Sequence, residues 1–234
     1  MKVYKTLLFD VDGTLLDFDA AEKSALRDTF KKYHIPFHEE IEQAYCELNK
    51  QLWSDFEQGK LDRHTLIYTR FGILFSKFNI QEDGVKFEDD YQEALGRGHQ
   101  MMPYAMEVIQ HFYQTHKLYI VSNGVTKTQF SRLKDSGLMP YFEQIFVSEL
   151  VGSQKPHQEY FDYVFSHMRD VDKNHTLMIG DSLSSDIQGG INAGIDTCWF
   201  HEEHKVCCDD IPYTYEIHDL RALYEIIGED EKHE

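Results

Sequence analysis

The sequence has few cysteines, few basic residues and no long apolar run, and each shortage excludes a class of protein. Only four of the 234 residues are cysteine, so a disulfide framework is not indicated. No apolar stretch approaches the ~20 residues that a membrane-spanning helix needs. The N-terminal region also lacks the apolar core of a signal peptide, and we therefore expect a cytoplasmic protein with no membrane partner.

Basic residues are strongly outnumbered by acidic ones. The chain has 23 Lys and Arg against 41 Asp and Glu, which gives a formal net charge of −18. Binding to a nucleic acid polymer depends on basic residues that neutralise phosphates, so such a partner is not expected. A small phosphate-bearing substrate remains possible if a divalent cation and one or two basic side chains lie at its site. We expect a monomer or a weak homodimer.

Short apolar runs alternate with helical patterns over most of the chain. The runs that predict strands are residues 6–9, 118–121, 145–147, 176–179 and 197–200. Helices are predicted at about 104–115, 127–134 and 159–168, and past Asp186 to about 194. This alternation is typical of an α/β fold, in which a Rossmann-like parallel sheet carries helices on both faces.

One segment departs from the alternation. From residue 18 to residue 91 apolar side chains recur at helical spacing, and no convincing strand is present. We therefore predict a core domain made of residues 1–17 and 92–234, with an inserted all-helical domain at 18–91.

Two carboxylates follow the first predicted strand, in Asp10-Val11-Asp12-Gly13-Thr14. Residues i and i+2 of an extended chain project to the same side, so Asp10 and Asp12 can face one pocket. Carboxylates held this close repel each other unless a cation lies between them or one of them binds a proton. Mg²⁺ meets that need, because it takes hard oxygen ligands and leaves room for a phosphate.

Further polar motifs follow other predicted strands or lie in loops: Ser122-Asn123, Lys155-Pro156, and Asp181 with Asp186 five residues later. Ligands of such sheets bind beyond the carboxyl ends of the strands. The Ser122 hydroxyl, nearby backbone N–H groups and the Lys155 charge suit a phosphate.

Each motif alone has a simpler explanation. Asp10 and Asp12 could be solvated residues at a strand end, and Ser122-Asn123 could cap a helix. Lys155 could lie on the surface before a proline turn, and Asp186 could stabilise a helix dipole.

Taken together, the four motifs resemble those of the haloacid dehalogenase-like (HAD) hydrolase superfamily, in the same order over residues 10–186. The resemblance implies the HAD fold, with the helical insertion as a mobile cap. It implies that Asp10 is the nucleophile, that Asp12 is the general acid and then the base, and that Mg²⁺ is the cofactor. The Mg²⁺ ligands would be the Asp10 carboxylate, the Asp12 backbone carbonyl and Asp181, with Asp186 orienting water or Lys155.

The resemblance also assigns the phosphate-binding groups. Ser122, the backbone of Asn123 and Lys155 would stabilise charge on the transferring phosphoryl group.

A narrower resemblance, to bacterial pyrimidine nucleotidases of this superfamily, implies a nucleoside monophosphate substrate. The segments that carry it are Leu15-Leu16-Asp17-Phe18, Trp53-x-x-Phe56-Glu57-x-Gly59 and residues 189–197. Phe18 is the candidate for stacking on a base, whereas Trp53 and Phe56 are interpreted as packing within the cap.

Other functions on the same fold remain open. A sugar-phosphate phosphatase or a phosphomutase would have the same motifs. Carbon–halogen hydrolysis is disfavoured because such enzymes lack the second aspartate, Asp12. Phosphonate cleavage would need a cap lysine that forms a Schiff base, and none of the lysines in the cap segment lies in a recognisable motif. A non-catalytic phosphate-binding module would be expected to lose a motif, and all four are intact.

A second cluster has the spacing of zinc ligands. It comprises Cys198, His201, His204, Cys207 and Cys208. The alternative, which we favour, places Cys198 on a buried strand and the others in a polar loop.

Overall fold

The computed structural model describes residues 2–201 and 210–228. Its centre is a six-stranded sheet in which every neighbouring pair is parallel, in the order β3-β2-β1-β4-β5-β6. The strands are Thr6–Phe9 (β1), Lys117–Ser122 (β2), Gln144–Val147 (β3), Thr176–Gly180 (β4), Asp196–Phe200 (β5) and Tyr215–Ile217 (β6).

Strand β1 lies in the middle of the sheet and is buried on both faces. Leu7 is in register with Leu118 on one side and Leu177 on the other. Leu7 belongs to one hydrophobic cluster, whereas Leu8 belongs to a second cluster with Met178. A strand covered on both faces must be apolar throughout, which explains the continuous run in the sequence.

Ten α-helices occur in the described residues. They are Phe18–Lys32 (α1), Glu39–Glu57 (α2), Arg63–Phe78 (α3), Gly84–Leu95 (α4), Ala105–Phe112 (α5), Thr126–Asp135 (α6), Ser148–Val151 (α7), Gln158–His167 (α8), Gln188–Ala193 (α9) and Leu223–Ile227 (α10). Helices α5 and α10 add apolar side chains to the cluster of Leu7, and α8 and α9 add theirs to the cluster of Leu8. The helices therefore cover both faces of the sheet.

The four helices α1 to α4 follow β1 directly and have a hydrophobic core of their own. Aromatic rings fill it: the Phe71 and Phe87 centroids are 4.6 Å apart, and Phe30 lies 5.0 Å from Phe87. An aspartate begins three of the helices, and the Asp17 carboxylate accepts from the backbone N–H of Ala20 at the start of α1. We call this unit of four helices the cap.

A buried ion pair joins two of the cap helices. Arg70 of α3 donates to both carboxylate oxygens of Glu88 of α4, at 2.7 and 2.6 Å, and to the Asn49 side chain at 2.8 Å. Asn49 in turn donates to Glu22 at 2.9 Å. Glu22 is 8% exposed, and burial raises the pKa of its carboxyl group from 4.5 to about 7, partly offset by Arg70.

The α/β architecture predicted from the sequence is confirmed. All five predicted strands are present, and the parallel order follows from the alternation of strands with helices. The sequence did not indicate the three-residue edge strand β6 or the π-helical turn Leu183–Ile187 before α9. Within the described part of the chain, no helix combines the length and the apolar character that crossing a bilayer requires.

Candidate active site

The site lies where β1, β2 and β4 end. Asp10 follows β1, Ser122 ends β2, and Asp181 follows β4. Since β1 pairs with both β2 and β4, their carboxyl ends meet at one edge of the sheet. The loop before α8 brings Lys155 to the same place, and the π-helical turn brings Asp186. The structure thus gathers side chains that are up to 176 residues apart in sequence.

Lys155 lies at the centre of the group. Its side chain is 1% exposed, and its ammonium donates to Asp10 Oδ1 and Asp186 Oδ1 at 2.6 Å each and to the Val121 carbonyl at 2.8 Å. Burial lowers the pKa of this lysine, but the carboxylates of Asp10 and Asp186 outweigh burial and hold the pKa above its ordinary value. The buried lysine is therefore charged, and it fixes the orientation of both carboxylates.

Three carboxylates converge beside this lysine. One oxygen each of Asp10, Asp181 and Asp186 can be chosen so that all three lie within 4.8 Å of one another. Burial raises the pKa of Asp10, Lys155 acts against it, and the charges of Asp186 and Asp181 raise it further. A cluster of hard oxygen atoms with such repulsion fits Mg²⁺.

Both carboxylate oxygens of Asp186 accept hydrogen bonds. Its Oδ1 accepts from Lys155, and its Oδ2 accepts from the backbone N–H of Ser182 at 3.1 Å. It is 1% exposed. The arrangement is consistent with a residue that orients Lys155.

Gly13 lets the chain turn sharply between Asp12 and Thr14. Its φ is +80°, in the left-handed region that glycine tolerates best. A Cβ atom here would lie 2.7 Å from Oδ2 of Asp181. Glycine thus permits both the turn and the close approach of the two aspartate loops.

Asp12 has two partners that the sequence reasoning missed. Arg132 Nη1 and Gln129 Nε2, both from α6, donate to its carboxylate. Gln129 also donates to Ser122 Oγ at 3.0 Å. Arg132 is 1% exposed and its Nε donates to the Gly98 carbonyl at 2.6 Å. A signal was available: residues 129 and 132 share one face of the helix that leaves the Ser122 loop.

Ser122 and Asn123 do not cap a helix through their side chains. The residue that caps α6 is Val125, which makes no side-chain capping bond. Ser122 Oγ instead accepts from the backbone N–H of Gly124 at 3.0 Å. The Asn123 side chain donates to the Lys155 carbonyl and accepts from the Lys155 backbone N–H, both at 2.9 Å. Asn123 therefore positions the loop that carries Lys155.

The cap lies against the clustered polar residues, and together they line a small, open cavity. The cavity has a volume of about 170 Å³, and it is lined by the clustered polar residues together with Phe18 and Trp53 of the cap. Phe18 also lies against the Arg132 guanidinium, 5.8 Å from ring centroid to Cζ. Trp53 packs edge-on against Phe56 at 5.7 Å, so it both packs within the cap and faces the cavity.

Several polar contacts hold the cap against the core. Arg63 donates to the carbonyls of Asn123 and Gly124, at 2.7 and 3.1 Å, and to Ser148 Oγ. Ser184 donates to Glu57 Oε2 at 2.7 Å. Arg63 was not identified from the sequence, although it touches the backbone of the loop beside Lys155. These contacts join the cap to the core beside the cavity.

The fold and this arrangement of carboxylates and lysine define a hydrolase class. The model of the haloacid dehalogenase-like hydrolase family matches residues 4–194, and the chain belongs to that family. The chain is 47% identical to a HAD-hydrolase named YfnB, from Bacillus subtilis, over 97% of both chains. It is 40% identical to the pyrimidine 5'-nucleotidase PynA of Streptococcus pneumoniae, over 96% of this chain and 95% of that one.

Two further comparisons agree with these. The pyrimidine 5'-nucleotidase YjjG of Escherichia coli is 32% identical, over 94% of this chain and 96% of its own. A crystal structure of YfnB from B. subtilis bound to magnesium superposes with a TM-score of 0.93, at 46% identity over 97% of this chain and all of the other. The resemblance to this family deduced from the motifs is confirmed.

Proposed function

We propose that the protein is a Mg²⁺-dependent phosphatase that hydrolyses small phosphomonoesters through an aspartyl-phosphate intermediate on Asp10. One observation carries the proposal: buried Lys155 contacts both Asp10 and Asp186 while an oxygen of Asp181 lies within 4.8 Å of theirs. This set presents a nucleophilic carboxylate, a fixed positive charge and a hard oxygen site together. These are the parts that phosphoryl transfer needs.

The first half of the reaction forms the intermediate. An oxygen of Asp10 attacks phosphorus, and the bond from phosphorus to the leaving alcohol oxygen breaks. Asp12 gives its proton to that oxygen. Lys155, Ser122 and the Asn123 backbone stabilise the negative charge on the phosphoryl oxygens.

The second half restores the enzyme. Asp12 accepts a proton from water, the water oxygen attacks phosphorus, and the bond to Asp10 breaks to release inorganic phosphate. Asp10, the Asp12 carbonyl and Asp181 would hold Mg²⁺, which neutralises charge on the phosphate and on the aspartates. Arg132 and Gln129 aim the Asp12 carboxylate at the cavity during both steps.

For the substrate we propose a pyrimidine nucleoside 5'-monophosphate. Two relatives at 40% and 32% identity over nearly the whole chain are named pyrimidine 5'-nucleotidases. Phe18 and Trp53 line the cavity together with the clustered carboxylates and Lys155, and they offer aromatic faces to a base. A sugar-phosphate phosphatase or a phosphomutase is the alternative.

We propose that the cap moves to admit the substrate. Ligand pockets of drug-sized molecules usually measure ~300–1,000 Å³, whereas the cavity between cap and core has a volume of about 170 Å³. The magnesium-bound structure of YfnB is described as revealing interdomain movement. We propose that this cap opens by breaking the contacts of Arg63 and Glu57, and that closure excludes water around the phosphate.

The test is phosphate release from a matched panel of substrates. The panel pairs dUMP and dTMP with dAMP and dGMP, and adds ribose 5-phosphate and glucose 6-phosphate, each with Mg²⁺ and with EDTA. The proposal requires Mg²⁺-dependent turnover with the highest kcat/KM for the pyrimidine nucleotides.

Other outcomes separate the alternatives. Preference for the sugar phosphates would retain the phosphatase and discard the nucleotidase. Conversion of glucose 6-phosphate to glucose 1-phosphate without phosphate release would indicate a phosphomutase. Unchanged turnover in EDTA would contradict the metal requirement.

A further inference from the structure

A second group of potential metal ligands lies at the sheet edge formed by β6. His201 follows β5 directly, Glu216 lies on β6 and His218 follows it. One ligand atom each of these residues can be chosen so that all three lie within 4.8 Å of one another. None of the three belongs to the carboxylate group around Lys155.

Strand geometry explains why they converge. Glu216 and His218 are two apart, so their side chains project to the same face of an extended chain. The backbone N–H of His201 donates to the Ile217 carbonyl at 3.1 Å, which continues the β5–β6 pairing by one residue. His201 is thereby placed beside this face, and its Nε2 lies 2.7 Å from Oε1 of Glu216.

The hydrogen bonds also favour a ligand role for His218. Its Nδ1 lies 3.0 Å from the carbonyl oxygen of His201. A carbonyl only accepts, so this nitrogen carries a proton, and in the neutral form of the ring Nε2 keeps its lone pair. A backbone carbonyl on the other ring nitrogen is the usual companion of a metal-binding histidine, because it fixes the tautomer and the ring orientation.

We propose that His201, Glu216 and His218 form a site for a divalent transition metal of the zinc type. Two imidazole nitrogens and one carboxylate oxygen suit Zn²⁺, Co²⁺, Ni²⁺ or Cu²⁺, whereas Mg²⁺ and Ca²⁺ prefer oxygen alone. Glu216 and His218 are exposed, so the metal can enter from solvent and water can complete its coordination.

The position of the site gives it a structural role. Strand β6 has three residues, and among the described residues it pairs with β5 alone, at the edge of the sheet. A metal shared by the end of β5 and by β6 would tie this short strand to the sheet. Binding would favour the folded state, in which the three ligands are together.

The fluorescence of Trp199 can report metal binding at this site. The indole of Trp199 stacks on the His201 ring, with centroids 3.7 Å apart and planes inclined by 24°. The sequence has only one other tryptophan, Trp53 in the cap. In a Trp53→Phe background, Ni²⁺ bound at His201 should therefore quench the remaining fluorescence.

The experiment titrates Ni²⁺ into this variant, with excess Mg²⁺ to occupy the carboxylate site and without a polyhistidine tag. We expect saturable quenching by one Ni²⁺ per chain, reversed by Zn²⁺. His218→Gln and Glu216→Gln should each weaken binding at least tenfold. Asp181→Asn is the matched control and should bind Ni²⁺ as tightly as the parent.

The nearby cysteines provide the decisive contrast. His204, Cys207 and Cys208, part of the zinc-like spacing in the sequence, lie outside the described residues. A Cys207→Ser, Cys208→Ser double variant should keep the site. The proposal is overturned if quenching never saturates, or if the double variant loses binding while His218→Gln keeps it. Circular dichroism spectra of each variant verify that it is folded.

Discussion

The guanidinium of Arg132 donates a hydrogen bond to the carboxylate of Asp12 from a position that is almost fully buried. Gln129, also of α6, donates to the other carboxylate oxygen of Asp12, and the Asp12 side chain is 26% exposed and lines the cavity. A proton donor must be held within hydrogen-bond reach of the leaving oxygen. Arg132 is thus a positioning residue for the aspartate to which we assign acid and base roles.

Arg132→Ala should lower kcat by about ten- to a hundredfold with a much smaller change in KM, because general acid–base catalysis contributes about 10²–10⁴. Arg132→Lys keeps the charge and should recover part of the loss. Steady-state kinetics of both variants, beside Arg97→Ala on the exposed surface, measure this. Equal losses in Arg132→Lys and Arg132→Ala, accompanied by equal destabilisation, would indicate a purely structural role.

Mg²⁺ should stabilise the folded protein through the same carboxylates that we assign to it. Binding to the folded state alone stabilises by about 2.7 kcal/mol when the ion is at a hundred times its dissociation constant. Mg²⁺ should therefore raise the melting temperature of the parent by several degrees. It should leave the melting temperature of Asp181→Asn unchanged. Asp210→Asn, an exposed aspartate, is the control. A full Mg²⁺ shift in Asp181→Asn would remove this residue from the metal site.

Glu22 should make the stability of the cap depend on pH. Its pKa is raised from 4.5 to about 7 by burial, partly offset by Arg70, so the folded state binds a proton more tightly than the unfolded state. The tighter proton binding by Glu22 therefore stabilises the folded state fully below pH 4.5, and this stabilisation is lost as pH rises to about 7.

Glu22→Gln removes this ionisation. Relative to the parent, the variant should gain up to about 3 kcal/mol of unfolding free energy as pH rises through that window, because each pKa unit corresponds to about 1.4 kcal/mol. Urea denaturation at a series of pH values measures the difference. A difference that stays constant with pH would show that the Glu22 pKa is unshifted.

Alanine substitutions at two glycines should change the stability of the protein in opposite directions. Gly13→Ala meets a positive φ and an Asp181 oxygen at 2.7 Å, so it should destabilise by about 1–3 kcal/mol and impair turnover. Gly72 lies inside α3, and a Cβ there meets no atom within 4 Å. Gly72→Ala should stabilise by about 1 kcal/mol. Thermal denaturation of both variants measures these changes. A Gly13→Ala variant as stable as the parent would refute the close approach of Gly13 to Asp181.

The sequence predicted the sheet well because a buried parallel strand must be apolar throughout, as β1 is. It did not predict β6, which has only three residues, Tyr215–Ile217, at the sheet edge. Such a strand needs neither an apolar run nor alternation over several residues. Its pairing with β5 is a tertiary contact that no local pattern reports.

At the site, strand ends indicated Asp10 and Asp181, the order of the family motifs indicated Lys155, and the structure brings the three together. Their catalytic and metal roles remain predictions. Arg132 was missed because a basic residue on a helix usually faces solvent. Its burial results from how α6 packs beside Asp12, which depends on the whole fold.

The most direct test of the account is phosphate release from dUMP by Asp10→Asn in Mg²⁺, beside Asp19→Asn as a matched control on the exposed surface of α1. We predict that Asp10→Asn loses at least a thousandfold in kcat while retaining the parent's fold, and that Asp19→Asn keeps parental kcat. Turnover by folded Asp10→Asn within tenfold of the parent would contradict a phosphorylated Asp10.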